Sequence, residues 1–280
     1  MDETPPPPAR GSPRLVELFR WTRASYALMS AFVAVIGLIM VVWWPLVEEY
    51  VGYFDPAYPL LVQIDWLLIG IFLVMSLLIM AGADLKYDAW IVFVGLCGGL
   101  VIESWGTQTN LWTYYTLERP PLWIIPAWPI ASLSIDRIVR MLHRLLPQAR
   151  LDRTFRRLYW VIFPSFYGLM LVFVWPTLNK SLTILALFAC ALLILSPTNH
   201  RLAVLTFLVG SGLGYFLERW GTTRACWTYY TLQTPPFFAV LAHGLAAVAF
   251  WRAGLLIKKV LFSRRLLTPQ ALVQTKEEAD

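Results

Sequence analysis

Glu103 and Glu218 are the ionisable residues whose sequence context most favours chemistry. They open two copies of one segment, ESWGTQTNLWTYYTLERPP at 103–121 and ERWGTTRACWTYYTLQTPP at 218–236, which match at 12 of 19 positions with a constant offset of 115. Each glutamate ends an apolar run, where an ionisable side chain is costly and is a candidate for function. Two carboxyl groups in one apolar cleft would not both ionise, so a protonated acid would stand beside a carboxylate. Such a pair can protonate a weak base such as an alkene.

Aromatic residues follow each glutamate in the same order and are the candidate substrate-binding residues. They are Trp105, Trp112, Tyr114 and Tyr115 in the first copy and Trp220, Trp227, Tyr229 and Tyr230 in the second. Trp and Tyr are enriched at membrane interfaces whatever the function. An interfacial belt constrains composition rather than order, however, and here the order WTYYT is repeated. The rings could stabilise a carbocation or pack against an isoprenoid chain.

The two copies diverge after their shared proline pair, where Trp128 in the first corresponds to His243 in the second. His243 is therefore a third candidate catalytic residue, as a proton relay. A single histidine in a membrane span is also typical of a hydrogen-bonded structural residue, so both interpretations stay open.

Small residues precede each glutamate at intervals of four. They are Gly95 and Gly99 in the first copy and Gly210 and Gly214 in the second. This spacing places them on one helical face, where they allow close helix packing in lipid. If the two helices cross at these glycines, the glutamates meet near the membrane surface. The alternative is that the glycines only make packing notches and the glutamates cap loop backbone.

Composition identifies the solvent in which these elements fold. Apolar residues make up 58% of the 280 and charged residues only 14%, against about 25% charged in soluble domains. We predict an all-α polytopic membrane protein with eight transmembrane helices. The predicted spans lie near 25–47, 62–82, 88–104, 121–142, 158–178, 181–198, 201–218 and 236–257.

The internal repeat predicts how these helices are arranged. Four helices per copy is an even number, so the two four-helix repeats run parallel, related by an axis along the membrane normal. The predicted organisation is a disordered tail at 1–24, a first repeat at 25–142, a basic linker at 143–157, a second repeat at 158–258 and a tail at 259–280.

Basic residues predict the orientation of the chain in the membrane. With this topology, 19 of the 23 lysines and arginines fall on one side. The positive-inside rule then makes both termini and the linker cytoplasmic and places the glutamates at the opposite surface. We expect the protein in the inner (cytoplasmic) membrane.

Other chemistries are not indicated. The three histidines and three cysteines lack the spacing of metal ligands, and nucleotide-binding and hydrolase motifs are missing, so we predict no metal and no cofactor. The basic loops lack interleaved aromatic residues, so a nucleic acid is not an expected partner.

The pattern E-x-x-G followed by W-x-Y and proline, present in two halves, resembles the membrane-integral carotenoid end-group enzymes, namely the carotenoid hydratases and the small two-repeat lycopene cyclases. The matching residues are Glu103, Gly106, Trp112 and Tyr114, and Glu218, Gly221, Trp227 and Tyr229. The resemblance implies protonation of a terminal isoprenoid double bond, followed by hydration or cyclisation. The cyclases carry a Pro-x-Glu-Glu element in the following helix, where this chain has PAWPIA and AHGLA.

Three functions follow from these patterns. The leading hypothesis is an enzyme that uses Glu103 and Glu218 on a long isoprenoid or carotenoid-like lipid. The alternatives are a transporter or binder of an amphiphile, and a structural partner in a membrane protein complex with the aromatic loops as its docking surface.

Overall fold

The computed structural model describes residues 20–146 and 148–265, and in these ranges the chain forms ten α-helices and one two-stranded sheet. Residues 1–19 of the predicted N-terminal tail and 266–280 of the predicted C-terminal tail lie outside them. The first half contains α1 (Arg23–Val42), α2 (Trp44–Gly52), α3 (Leu60–Gln63), α4 (Trp66–Met80), α5 (Leu85–Gln108), β1 (Trp112–Tyr114) and α6 (Ala127–Leu145). The second contains α7 (Gln148–Val174), α8 (Ser181–Leu195), α9 (His200–Thr223), β2 (Trp227–Tyr229) and α10 (Phe237–Arg265).

Five of the described helices are long and apolar enough to cross a membrane: α1, α5, α7, α9 and α10. This is the pattern of a multi-pass, largely α-helical membrane protein. The other three predicted spans do not qualify. Helices α4 and α8 are apolar but have only 15 residues each, fewer than the ~20 needed to span the hydrocarbon core at right angles. Helix α6 is excluded by its charges, since Asp136, Arg137, Arg140 and Arg144 all lie within it.

Hydropathy located apolar runs rather than helix ends, so helix bounds differ from the predicted segments in two places. The span predicted near 121–142 begins as a helix only at Ala127, after a series of turns. Conversely, α7 begins at Gln148, so most of the segment predicted as the linker 143–157 is helical. Arginine is a good helix former, and the basic residues of this segment extend the helix beyond its apolar part.

The same elements recur in both halves after a shift of 115 residues. This shift superimposes the bounds of α4 on α8, of α5 on α9 and of β1 on β2. Helices α5 and α9 also begin alike, because Asp84 and Asn199 each cap the helix by accepting a backbone N–H with the side chain. The small helices α2 and α3, which connect α1 to α4, have only a short 3₁₀ turn as their counterpart between α7 and α8.

A two-stranded antiparallel ribbon joins the two halves. Trp112 lies opposite Tyr229, and Tyr114 lies opposite Trp227, with Thr113 and Thr228 between them. Since Thr113 and Thr228 are the same position of the repeat, the pairing is symmetric about them. The prediction of an all-α chain missed this ribbon. Alternating aromatic and β-branched residues between turns favour a strand, but strands of three residues are too short to show a period.

The principal core lies in the second half. Helices α7, α9 and α10 contribute an aromatic cluster in which Phe173 stacks on Phe238 with ring centroids 4.2 Å apart, and Phe163 packs on Phe207 at 5.3 Å. Helix α10 packs along α9, and α6 packs along α5 in the equivalent manner. The ribbon closes one end of this arrangement and brings the candidate residues of both halves together.

Candidate functional site

Each glutamate binds the tryptophan nine residues further along the chain. The indole Nε1 of Trp112 donates to Glu103 Oε2, and that of Trp227 donates to Glu218 Oε2, both at 3.0 Å. Both glutamates are only 4% exposed. A buried carboxylate requires hydrogen-bond donors, and here the strand that follows each helix supplies one.

A glycine makes room for each of these indoles. A Cβ atom at Gly106 would overlap the six-membered ring of Trp112, and one at Gly221 would overlap that of Trp227. The E-x-x-G spacing therefore has a steric basis, because the helix turn that carries the glutamate must admit the tryptophan that binds it.

The four glycines predicted as packing notches lie against the next helix of their own half. They are Gly95 and Gly99 of α5 and Gly210 and Gly214 of α9. A Cβ at Gly99 would meet Trp128 of α6, and one at Gly214 would meet His243 of α10. The notches thus bring α6 to α5 and α10 to α9, whereas the sequence suggested a crossing of α5 with α9.

Trp128 and His243 form the centre of the site. The Nε1 of Trp128 donates to Glu103 Oε1 at 3.2 Å, and the Nε2 of His243 lies 2.9 Å from Glu218 Oε1. The two rings stack on each other, with centroids 5.4 Å apart and planes inclined by 21°. Equivalent positions of the repeat are therefore in contact, and each of the two side chains is hydrogen-bonded to the glutamate of its own half.

Tyr229 is a third hydrogen-bond partner of Glu218, and its hydroxyl donates to Oε1 at 2.8 Å. Burial, together with the neighbouring carboxylate of Glu218, raises the pKa of Tyr229 well above its usual value. Burial and the carboxylate of Glu103 raise the pKa of Tyr114 in the same way. Both phenols therefore keep their protons at neutral pH, and Tyr229 remains a donor to Glu218.

The two glutamates line one large cavity of about 1190 Å³. Most of its other lining residues are apolar, and they come from α4 to α6 and from α7 to α10. The structure brings most of the predicted site residues to this cavity, namely Glu103, Glu218, His243, Trp105, Trp112, Tyr114, Trp220, Trp227 and Tyr229.

Tyr115 and Tyr230 do not line the cavity. They are 45% and 42% exposed, and the hydroxyl of Tyr230 donates to the backbone carbonyl of Phe173 at 2.7 Å. Each of them follows the last residue of its strand, in a turn, so the second tyrosine of WTYYT lies outside the strand and away from the cavity. Including these two as substrate-binding residues is not supported by their positions.

The tryptophans that follow the glutamates connect each half to the other. Trp105 donates to Thr183 Oγ1 on α8 at 3.3 Å. Trp220 donates to Asp65 Oδ2, just before α4, at 2.8 Å, and Arg224 binds both carboxylate oxygens of Asp65 at 2.7 and 3.0 Å. Burial opposes ionisation of Asp65, but the hydrogen bonds from Arg224, from the Leu68 backbone and from Trp220 lower its pKa below the ordinary 3.8.

Sequence reasoning missed Trp128, Asp65 and Thr183 as parts of the site. The shift of 115 from His243 pointed to Trp128, but its different residue type hid its role. No sequence pattern pointed to Asp65 or Thr183, because each belongs to the opposite half from the tryptophan that it binds. No group of three or more metal-ligating side chains occurs in the part of the chain that the structure describes.

Comparison with known protein families, with curated proteins and with solved structures finds no match.

Proposed function

We propose that the protein is an integral membrane enzyme that acts on a long isoprenoid or carotenoid-like lipid by carboxylic acid–base chemistry. The observation that carries the proposal is the contact of His243 with Glu218, 2.9 Å apart, in the wall of a large apolar cavity that Glu103 also lines. A hydrogen-bonded imidazole and carboxylate are the two groups most often used for proton transfer in enzymes.

The cavity fits a hydrophobic substrate better than a polar one. Its volume of about 1190 Å³ lies slightly above the usual range for small-molecule sites, as a long chain requires. The lining is apolar apart from the glutamates, His243 and a few hydroxyl, amide and indole groups. A polar substrate would leave its own groups without partners there, at a substantial cost in free energy.

The chemistry would run through the second half of the site. A proton held between Glu218 and His243 is added to one carbon of a substrate double bond, which leaves a cation on the other carbon. The faces of Trp227 and Trp112 can stabilise that cation. Water then adds and loses a proton to a carboxylate, which gives hydration, or an internal double bond attacks and a proton is lost, which gives cyclisation.

The wider architecture that we propose is eight membrane-crossing helices in two parallel four-helix halves. The shared bounds of the repeated elements and the symmetric ribbon support it. Helices α4 and α8 would cross by virtue of local thinning or flanking polar residues, and α6 would have its charges at the end away from the ribbon. The basic ends would face the cytoplasm across the inner membrane.

Substitution of the two glutamates and of the histidine tests the proposal. The Glu218→Gln, Glu103→Gln and His243→Gln variants are expressed in cells that make acyclic carotenoids, and lipid extracts are compared by liquid chromatography and mass spectrometry. Loss of a general acid typically lowers a rate by about a hundredfold or more. We expect Glu218→Gln and His243→Gln to abolish the product. Compared with the substrate, the product is heavier by one water if the reaction is hydration, and it has the same mass but a different retention time if the reaction is cyclisation.

Glu49→Gln is the matched control, because Glu49 is exposed and does not line the cavity. It makes the same chemical change and should leave the product profile unaltered. A product profile that is the same in wild type, in Glu218→Gln and in cells without the protein would refute the enzymatic proposal.

A binder or carrier of an amphiphile is the second candidate, and the first half of the site favours it. Glu103 accepts hydrogen bonds from two indoles, and neither indole can exchange a proton at neutral pH. An arrangement of this kind holds a polar end group without reacting with it. Copurification of an unmodified isoprenoid with the wild-type protein, lost in Glu103→Gln, would support this alternative.

A further inference from the structure

A second cavity lies at the other end of the helices, away from the ribbon. Its volume is about 330 Å³, and it is bounded by the start of α5, the end of α6, the start of α9 and the second half of α10. It is lined by charged and aromatic groups that the glutamate site does not use. These are Tyr87, Asp136, Arg140, His143, Arg144 and Lys258.

The charges around this cavity do not balance. Arg137 binds both Asp88 and Asp136, at 2.6 and 2.9 Å, and Arg140 binds Asp136 at 2.7 Å. Two guanidinium groups and two carboxylates thus compensate one another. Two further cations line the cavity and have no ion-pair partner among the described residues, namely Arg144 and Lys258.

The neighbouring groups leave hydrogen-bonding capacity unused. Lys258 Nζ lies over the ring of Tyr87, 4.4 Å from its centroid, which holds the ammonium at the cavity. Arg140 Nε and His143 Nδ1 are buried without a hydrogen-bond partner among the described residues. A buried polar group without a partner is costly, so an anionic ligand that accepts from these groups would be stabilised.

The floor of the cavity is apolar, in contrast to its rim. Ile91, Val94 and Phe250 line it, and Val94 and Phe250 also line the large cavity. Gly254 lies in the same wall, where a Cβ would meet nothing closer than 4.0 Å. A site with a cationic rim above an apolar floor, at the end of apolar helices, matches a ligand with an anionic head and a hydrocarbon chain.

We propose that this second cavity binds an anionic phospholipid, with its phosphate at Arg140, Arg144 and Lys258 and the start of its chain against Phe250. Basic pockets between helices at a membrane surface recognise anionic headgroups in this way. The lipid would fill the gap between α5, α6 and α10 and leave the glutamate cavity available for its own ligand.

Thermal unfolding in detergent tests the proposal with three probes: phosphatidylglycerol, phosphatidylcholine and inorganic phosphate. A ligand that binds the folded state raises the unfolding midpoint according to its affinity. We expect phosphatidylglycerol to stabilise the wild type and phosphatidylcholine to have no such effect. The Arg144→Gln/Lys258→Gln double variant should require a roughly thirtyfold higher phosphatidylglycerol concentration.

The matched control is Lys86→Gln/Lys259→Gln, which removes the same charge from the same end of the helices. Both of these lysines are exposed and neither lines the cavity. The control should bind phosphatidylglycerol as the wild type does. An equal loss of affinity in the control, or equal stabilisation by the two lipids, would overturn the proposal.

A variant without any charge change distinguishes a lipid from free phosphate. Gly254→Leu fills the apolar floor but keeps Arg144 and Lys258 in place. It should abolish stabilisation by phosphatidylglycerol. The matched control for this change is Gly168→Leu, since Gly168 also lies in an open helical position but outside both cavities. Stabilisation by inorganic phosphate as strong as that by the lipid, unchanged in Gly254→Leu, would overturn the assignment to a lipid.

Discussion

The side chain beside each glutamate determines what that glutamate can do. Trp128 only donates a hydrogen bond to Glu103, whereas His243 can hold or release a proton next to Glu218. Two sites that share a glycine, a tryptophan and a carboxylate therefore differ in whether an imidazole contacts the glutamate. The duplication provides a comparison within the chain itself, because the first half has a tryptophan where the second has this histidine.

A methyl group at Gly221 should break the contact that holds Glu218. In Gly221→Ala the new Cβ overlaps the Trp227 indole, so the ring must move and its hydrogen bond to Glu218 is lost. Overpacking and a lost buried hydrogen bond each typically cost about 1–3 kcal/mol, and we expect a clear fall in the thermal unfolding midpoint in detergent. Gly212→Ala, in the same helix but with open space around it, should be neutral or slightly stabilising. Similar midpoints for the two variants would show that Gly221 has no steric role.

The residues at the site were largely predictable because the repeat marks order as well as type. It pointed to Glu103, Glu218 and the first Trp and Tyr of each WTYYT, all of which line the cavity. It could not separate Tyr114 from Tyr115, since the strand ends between these two neighbours and no local pattern marks that end. It also could not predict that Trp128 and His243 stack, because side chains from different halves meet only in the folded molecule.

Among the secondary-structure elements, the ribbon is the one that makes a single site from two halves. Its strands have three residues each, yet they bring Trp112 against Tyr229 and Tyr114 against Trp227 with ring centroids 5.8 Å apart in both cases. The position of α4 depends on a similar contact, because Asp65 before its first residue binds Trp220 and Arg224. Neither contact is encoded in a local pattern, which explains why the helices were predicted and these connections were not.

The ion pair of Asp65 with Arg224 should make stability depend on pH in the acidic range. The pKa of Asp65 is lowered in the folded state, so its contribution is complete above the ordinary value of 3.8 and is lost as the pH falls through the folded value. Asp65→Asn should therefore lower the thermal unfolding midpoint at pH 7, and the difference from wild type should shrink towards pH 3. Asp55→Asn, in an exposed loop without an ion pair among the described residues, is the control. A difference that does not change with pH would mean that Asp65 acts only through hydrogen bonds.

In the whole molecule, the acidic residues of the site and the excess of basic residues lie at opposite ends of the helices. The ribbon end carries Asp65 and the glutamates, while the opposite end carries the excess of arginine and lysine around the second cavity. Composition predicted this separation, since the basic residues cluster between apolar runs. The number of membrane crossings was less predictable, because α4 and α8 are short and because Arg137 of α6 is paired with Asp88 of α5, which hydropathy does not take into account.

Labelling of single cysteines in sealed membrane vesicles should place the two ends on opposite sides. In a chain whose three native cysteines are replaced by alanine, Lys86→Cys lies at the basic end and Tyr115→Cys at the ribbon end, and both positions are exposed. We expect a membrane-impermeant maleimide to reach Tyr115→Cys only from the non-cytoplasmic side and Lys86→Cys only from the cytoplasmic side, as the positive-inside rule requires. Labelling of both cysteines from one side would contradict the proposed topology.

The ribbon also bears on how such a chain can assemble. A strand that pairs only with its own counterpart leaves unsatisfied backbone groups whenever the counterpart is missing. A chain comprising one half alone would therefore complete its ribbon by associating with a second copy of itself, with its two glutamates related by a true two-fold axis. Joining the halves in one polypeptide removes that requirement. It also allows Trp128 to stack on His243, whereas a homodimer would bring two identical side chains together.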